Sequence, residues 1–213
     1  MVYGQFLAPV SMRSGAPMAG TPEICWMNYM VGQLARRYRL PWRSSGMTTG
    51  AKVVDAQAAY ESIMTLHSVM LAGANVVLHA AGWLEGGLTA SFAKFVLDCE
   101  QMEMVYRFAQ GPDFTDLDEA LAAIAEVGPG GHFLGAAHTR EHFQSAFFMP
   151  ELMDNSPFEQ WEAEGARDAN ARAKAKVREM LAAYQPPSLA PGVAEALEDF
   201  VRRRTKALPE GVT

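Results

Sequence analysis

Hydrophobic positions in the first half of the chain repeat one order: a short apolar run, a glycine-containing turn and then an amphipathic segment. The short runs favour β-strands, and the amphipathic segments have the three-to-four-residue spacing of α-helices. The strand candidates are residues 1–10, 40–44 and 75–79, and the helices that follow them begin near Thr21, Asp55 and Thr89. Three strand–helix units in succession predict a parallel sheet with right-handed crossovers.

Particular residues in the sequence predict where the helices begin. Thr21-Pro22-Glu23 places an N-cap residue, a proline at the first helical position and an acid in the first turn. The second helix is predicted from about Asp55 to Leu71. For the third helix we predict a cap at Thr89. Its predicted inward face consists of Phe92, Phe95, Val96, Cys99, Met102 and Tyr106.

The second half of the chain has helical patterns without strand alternation. A short helix with apolar positions from Leu117 to Val127 should stop at GPGGHFLG, and a long helix is predicted from Phe158 to Tyr184. A last helix follows Pro186-Pro187. We therefore divide the chain into βα units over residues 1–111 and a helical region over residues 112–213 that packs on them.

Composition narrows the class of protein. The 213 residues are 49% apolar with a net charge of −6, which allows a sizeable core and argues against a nucleic-acid partner. The basic run Arg202–Arg204 lies in a helical pattern, where complementing the helix dipole accounts for it. The N-terminus lacks the features of a signal peptide, and no apolar run is long enough to span a bilayer. We expect a cytoplasmic protein that does not bind membranes, with Cys25 and Cys99 as reduced thiols.

Candidate chemistry gathers after the predicted strands, because the carboxyl ends of parallel strands build the ligand sites of such folds. The segment NVVLHAAGWLEGGL places His79, Trp83 and Glu85 in the turn after the third strand. Tyr3, Phe6, Trp42 and Trp83 add aromatic rings at the same edge. Aromatic faces around a pocket are a common means of holding a quaternary ammonium group. Packing of these rings in the core or at its rim is the alternative, and composition alone leaves both open.

Other chemical patterns are weaker. His138 and His142 have a metal-capable spacing on a helix, but the sequence shows no third ligand, so we predict no metal site. The segment GPGGHFLG lacks the lysine and hydroxyl ending of a phosphate loop and favours a turn. No Ser-His-Asp or Cys-His arrangement is visible.

An ordered series of segments resembles the trimethylamine methyltransferase superfamily. The series is YGQF, MRSGAP, GTPE, then SSGMTTGAKVVDAQAAYES, LAGANVVLHAAGWLEGGLTASFAKFVLDCEQ and GPGGHFLGAAHTREHF, running from Val2 to about Asp168. LHAAGWLE is similar to the branch without pyrrolysine, which acts on quaternary amines such as glycine betaine. The resemblance implies an α/β fold: the C-terminal part of a (β/α)8 barrel followed by a helical tail.

The resemblance also implies an activity and a set of roles. Members transfer a methyl group from a methylated amine to the cobalt of a corrinoid protein, so the corrinoid is carried by a partner and none binds directly here. His79 would orient the substrate or the corrinoid, with Trp83, Phe6 and Tyr3 as cage residues. Glu85 would steer the cation or cap the next helix. Arg13 would pair with a substrate carboxylate or with the corrinoid phosphate.

Two further readings remain open. The chain would be a non-catalytic module that binds quaternary ammonium compounds, or an inactive half-barrel remnant that needs a separate chain. A half-barrel exposes two sheet edges and apolar surface, which predicts self-association. Self-association of this kind would produce a homo-oligomer.

Overall fold

The computed structural model of the chain describes residues 1–208 and has a mixed α/β fold. Three short parallel strands, β1 (Tyr3–Gly4), β2 (Trp42–Ser45) and β3 (Val76–Leu78), form a sheet in the order β1-β2-β3. A two-stranded antiparallel ribbon follows, made by β4 (Trp83–Leu84) and β5 (Thr89–Ala90). Within residues 1–208 the strands form only these two small sheets, and no closed barrel is present.

Eight α-helices are found between residues 1 and 208. They are α1 (Pro22–Tyr38), α2 (Ala56–Leu71), α3 (Phe92–Gln110), α4 (Leu117–Val127), α5 (Ala137–His142), α6 (Phe158–Ala163), α7 (Ala169–Ala183) and α8 (Val193–Ala207). The predicted alternation of strands and helices, with parallel pairing, is confirmed for the first half. None of the helices in the described part of the chain combines the length and apolar character needed to cross a membrane.

Helices α1 and α2 pack on one face of the parallel sheet, at close range. A methyl group added at Gly32 of α1 would lie 2.6 Å from the Ala72 carbonyl oxygen, so only glycine permits this approach. Below the helices, Trp42 is buried against Ala35 and Ala72. A neighbouring core cluster of Met47, Leu66, Val69 and Val105 joins α2 and the segment after β2 to α3.

The predicted cap of α3 is wrong, and its predicted inward face is confirmed only for Val96, Cys99 and Met102, which are partly buried. Thr89 lies in β5, and Ser91 is the N-cap, since its Oγ accepts a hydrogen bond from the Lys94 backbone N–H at 3.3 Å. The buried positions of the helix are Ala93, Lys94, Leu97, Asp98, Glu100 and Val105, whereas the predicted Phe92, Phe95 and Tyr106 are exposed. Polar side chains with partners on distant segments occupy the interior that apolar periodicity assigned to aromatic rings.

The single long helix predicted from Phe158 to Tyr184 is also wrong, because the structure divides it into α6 and α7. Gly165 and Ala166 separate the two helices with φ angles of 97° and 50°. Positive φ angles do not continue a right-handed helix, and the Ala166 N–H instead donates to the Trp161 carbonyl at 2.9 Å.

The chain separates into two units, residues 1–178 and 179–213. The first contains both sheets and the candidate site, and the boundary proposed at residue 111 stays a prediction. In the second unit, Asp199 of α8 pairs with Arg202 at 2.6 Å and with Arg203 at 2.8 Å. Cys25 and Cys99 are free thiols in the part of the chain that the structure describes.

Candidate active site

Three aromatic rings meet at the carboxyl edge of the parallel sheet. The ring centroids of Phe6 and His79 are 5.8 Å apart, and those of His79 and Trp83 are 6.0 Å apart. Both contacts are edge-on, with interplanar angles of 64° and 73°. Phe6 follows β1, His79 follows β3 and Trp83 lies in β4, so three different elements supply the cluster. We call Phe6, His79 and Trp83 the aromatic cluster.

The backbone at His79 has a conformation that histidine rarely adopts. Its φ angle is 55°, in the left-handed region, which costs a residue with a Cβ about 1–2 kcal/mol. The imidazole Nδ1 lies 3.1 Å from the Ser45 hydroxyl oxygen, and this hydroxyl serves as donor or acceptor according to the histidine tautomer. Backbone conformation and Ser45 together set the direction of the ring.

Glu85 lies at the turn of the β4–β5 ribbon with a φ angle of 53°. Its backbone N–H donates to the Ala51 carbonyl at 2.8 Å, which ties the ribbon to the segment after β2. The Glu85 carboxylate accepts a hydrogen bond from the Thr89 hydroxyl at 3.2 Å. Since Ser91 caps α3, the structure gives Glu85 a place in the turn of the ribbon instead of the predicted alternative at the helix start.

The other predicted residues lie elsewhere. The Tyr3 ring packs against Tyr38 of α1, with centroids 6.3 Å apart, and Trp42 belongs to the buried core. Arg13 is exposed in the turn between Val10 and Pro17, which form an isolated antiparallel bridge. The structure therefore brings Phe6, His79 and Trp83 together, and it places Tyr3 and Arg13 in other surroundings.

A polar network that the sequence did not reveal lies beside the aromatic cluster. Asn28 is its centre: its Oδ1 accepts from Gln5 Nε2 at 3.2 Å and from the Ser44 hydroxyl at 3.1 Å, and its Nδ2 donates to Ser68 at 2.8 Å. Isolated polar residues within apolar helices give no periodic signal. The position of Gln5 directly after β1, in YGQF, was the one sequence feature that pointed to it.

Gln5 gives this network a free acceptor. Its Oε1 is buried and, among the residues that the structure describes, has no hydrogen-bond partner. Gln5 lines a cavity of about 170 Å³ together with Phe6, Ser44, Ser45 and Thr48. Buried acceptors are normally satisfied by protein, water or ligand. The cavity therefore offers the Phe6 ring and hydroxyl groups to a small molecule, and the unpaired Gln5 carbonyl lies buried beside it.

A buried ion pair supports the loop that carries the cluster. Lys94 Nζ lies 2.5 Å from Asp98 Oδ2, and the same oxygen accepts the Gly82 backbone N–H at 2.8 Å. Burial raises the pKa of the Asp98 carboxyl, while the Lys94 ammonium group and the Gly82 N–H act in the opposite direction. Gly82 directly precedes Trp83, so the pair fixes the chain at the entrance to β4. Sequence spacing did not identify it, because lysine and aspartate four residues apart are typical of a solvated helix face.

The chain is similar in sequence to known methyltransferases. The sequence profile of the family described as trimethylamine methyltransferase (MTTB) matches residues 1–209. A glycine betaine methyltransferase from Desulfitobacterium hafniense (strain Y51) is 40% identical over 210 residues, which cover 99% of this chain and 44% of that protein. The trimethylamine methyltransferase MttB of D. hafniense (strain DSM 10664 / DCB-2) is 33% identical over 94% of this chain and 40% of its own length.

A third relative, the trimethylamine methyltransferase MttB2 of Methanosarcina mazei, is 32% identical over 98% of this chain and 42% of that protein. The α/β fold with an aromatic cluster at the carboxyl edge of its parallel strands is thus found in a chain that belongs to the trimethylamine methyltransferase family. The chain spans less than half the length of these curated relatives.

Proposed function

We propose that the chain is the C-terminal part of a (β/α)8-barrel methyltransferase. In this proposal the enzyme removes a methyl group from a quaternary amine and passes it to a corrinoid protein. The observation that carries the proposal is the aromatic cluster of Phe6, His79 and Trp83, of which Phe6 lines a small cavity. The names of the relatives, which are glycine betaine and trimethylamine methyltransferases, support a methylated amine as substrate, and glycine betaine is a quaternary one.

The two faces of the parallel sheet support the barrel. Val77 packs on the core under α2, whereas Val76 and Leu78 point to the opposite face, as alternation along a strand requires. Val76 and Leu78 are 48% and 39% exposed. In a (β/α)8 barrel the face away from the helices is the packed interior. An apolar face of this kind is what the wall of such a barrel presents when the remaining strands are absent.

Substrate binding in this scheme depends on the aromatic cluster. A quaternary ammonium group has no N–H to donate, so ring faces and partial negative charges are the groups that stabilise it. A cation over an aromatic face gains up to about 2 kcal/mol when it is desolvated. Trp83 and Phe6 supply the faces, and Gln5, which lines the same cavity as Phe6, contributes the partial negative charge of its unpaired amide oxygen. In this proposal Glu85, two residues after Trp83 in the chain, steers the cation with its carboxylate.

The chemistry of a quaternary substrate places modest demands on the protein. When the carbon–nitrogen bond breaks, its electron pair goes to nitrogen and a neutral tertiary amine departs, so no proton has to be supplied. The reduced cobalt of the partner's corrinoid is the nucleophile that this scheme requires. The chain's residues hold the methyl carbon in line and exclude water, and such positioning is a recognised source of rate enhancement. His79, fixed by Ser45, orients the reacting groups.

The test uses the longest in-frame product that contains this chain, mixed with a reduced corrinoid protein and a panel of quaternary and tertiary amines. Methyl transfer is followed by the change in the corrinoid absorbance spectrum. We expect turnover of one amine, with kcat/KM reduced by about 100-fold in Trp83→Ala because roughly 2–3 kcal/mol of positioning energy is lost. His79→Ala should lower kcat by a similar factor. Matched controls are Trp26→Ala and His67→Ala, which change exposed residues of α1 and α2.

Other results would select another function. Amine binding by calorimetry without any spectral change would identify a binding module, a reading that the cavity inside this chain favours. Neither binding nor turnover, in a folded product, would identify an inactive remnant. Equal losses in the control variants would show that the aromatic cluster has no special part in the reaction.

A further inference from the structure

Three potential metal ligands meet in the helical region that follows α3. Asp116 precedes α4, and His138 and His142 lie on α5. The Asp116 Oδ2 atom is 3.4 Å from His138 Nε2 and 3.8 Å from His142 Nε2. The two imidazole rings are tilted by 44° to one another, with centroids 4.5 Å apart. The ligand atoms of the three residues all lie within 4.8 Å of one another.

The two imidazole nitrogens are buried without being satisfied. In the described part of the chain, neither His138 Nε2 nor His142 Nε2 has a hydrogen-bond partner, although both point toward one carboxylate oxygen. Buried polar nitrogens normally have a partner. A hydrogen-bonded histidine–aspartate pair would direct an N–H at the carboxylate, and the contacts here lack the geometry of such a bond.

We propose that Asp116, His138 and His142 form a binding site for a divalent transition-metal ion of the zinc class. Two histidines four residues apart lie on the same helical face and can bind one ion. Bonds of about 2.0–2.1 Å at a tetrahedral ion separate the ligand atoms by roughly 3.3 Å. The Asp116–His138 distance of 3.4 Å is already close to that value, and the Asp116–His142 distance of 3.8 Å exceeds it by about 0.5 Å.

The ligand set favours zinc over calcium or magnesium. Imidazole nitrogen suits zinc and related ions, whereas calcium and magnesium prefer oxygen ligands throughout. The three side chains are partly exposed, at 27% for His138, 32% for His142 and 41% for Asp116. One coordination position therefore remains open to water or to a further ligand. This arrangement of three protein ligands and one exchangeable position is common at zinc ions.

The ion would connect two neighbouring helices. Asp116 stands at the start of α4 and the histidines on α5, with the glycine-containing segment from Gly128 to Gly135 between them. The spacing of the two histidines is visible in the sequence, but the third ligand is not, because Asp116 lies before a different helix. The fold supplies it. The proposal concerns this region alone and is independent of the proposed methyl transfer.

The first experiment measures metal binding by the 213-residue chain, freed of affinity tags and stripped of metal. Zinc affinity is determined by competition with a chromogenic chelator, and Co²⁺ serves as the spectroscopic probe. We expect one ion per chain with a Kd below about 1 µM. Co²⁺ should give the intense visible bands of a tetrahedral ion with nitrogen ligands. His138→Gln, His142→Gln and Asp116→Asn should each weaken zinc binding by about 100-fold or more.

Matched controls lie nearby in the chain. His132→Gln removes an exposed histidine next to the same helix, and Asp113→Asn removes an exposed aspartate three residues before Asp116. Both should leave the zinc affinity unchanged. Circular dichroism of every variant without metal establishes that folding is intact, and the Co²⁺ spectrum of any less stable variant distinguishes a lost ligand from a lost fold.

Three results would overturn the proposal. Zinc binding only at millimolar concentration would identify an adventitious ion. Tight binding that survives all three ligand substitutions would place the ion elsewhere. A Co²⁺ spectrum typical of six water or oxygen ligands would exclude coordination by both histidines.

Discussion

At the scale of single residues, Lys94 and Asp98 are the clearest case of a local feature that supports the site from a distance. Their buried contact holds the Gly82 N–H, and through it the start of the strand that carries Trp83. Removing one partner of such a pair leaves the other charge buried and unpaired, which typically costs about 3–5 kcal/mol. The ion pair thus helps to position Trp83 of the aromatic cluster through the backbone of Gly82.

The first prediction concerns the pH dependence of Lys94→Met. Burial raises the pKa of Asp98 above its ordinary value of about 3.9, so the folded chain retains a proton that the unfolded chain has released. This contribution to stability is complete below about pH 3.9 and is lost as the pH rises through the folded pKa. Removing the Lys94 ammonium group raises that pKa further. The free energy of unfolding of the variant should therefore fall increasingly below that of the parent between acid and neutral pH.

Urea unfolding at several pH values between 4 and 8 measures the effect. We expect a deficit of about 3–5 kcal/mol at neutral pH that shrinks toward the acid end. Lys174→Met, at an exposed position of α7, is the control and should remain within about 0.5 kcal/mol of the parent at every pH. A deficit in Lys94→Met that does not vary with pH would mean that Asp98 is not the group left unpaired.

At the scale of elements, α3 organises the segment that follows α5. The Glu100 carboxylate accepts three backbone N–H groups, from Glu151 at 2.6 Å, Leu152 at 2.8 Å and Met153 at 2.9 Å. Leu152 is thereby placed in a core cluster with Ala93 and Leu97. One buried carboxylate thus accepts the backbone N–H groups of residues 151–153, which regular secondary structure would otherwise pair.

We predict that Glu100→Gln loosens residues 151–153 selectively. An amide oxygen has no full charge, and its NH₂ group faces N–H donors, so we expect a loss of about 2 kcal/mol. Hydrogen exchange should accelerate at the amides of Glu151, Leu152 and Met153. Glu103→Gln, at an exposed position of the same helix, is the matched change and should leave these amides protected. Equal acceleration in both variants would assign the protection to α3 as a whole.

The helices also show which structural features could be predicted from the sequence. The start of α2 was predictable because Asp55 is adjacent to the turn it caps, and its side chain accepts the Ala58 N–H at 3.1 Å. The buried face of α3 was not predictable, because the hydrogen-bond donors to Glu100 lie about fifty residues further along the chain. In the same way, the carboxyl ends of parallel strands predicted that Phe6, His79 and Trp83 would meet, whereas the pairing of Asn28 with Gln5 and Ser68 depends on packing between elements.

At the scale of the whole molecule, the parallel sheet has one face covered by helices and one that carries exposed apolar residues. Val76 and Leu78 represent that second face on β3. The relatives extend well beyond the part that this chain matches, which covers 40–44% of their length. If the remaining part of such a protein completes the barrel, this face is the surface it covers.

We therefore predict that the 213-residue chain self-associates when it is produced alone. Exposed apolar sheet faces and strand edges favour pairing between copies. Light scattering should show dimers or larger species whose population rises with concentration. Combining Val76→Thr and Leu78→Thr keeps the strand propensity but removes apolar area, so association should weaken about tenfold.

The pair Val53→Thr and Leu88→Thr provides the comparison, since both residues are exposed outside the parallel sheet. These changes should leave association nearly unaltered. A monomer at all concentrations would contradict the prediction and would weigh against an incomplete barrel. An equal reduction by both pairs would point to general surface hydrophobicity.

The left-handed backbone at His79 has a consequence for how this position responds to selection. Glycine and asparagine adopt such a conformation more readily than histidine. A library diversified at residue 79 and sorted for thermal resistance alone should enrich glycine and asparagine. The same library sorted for amine turnover should return histidine. The difference in stability between the residue selected for thermal resistance and histidine would measure what it costs the fold to hold the imidazole in this position.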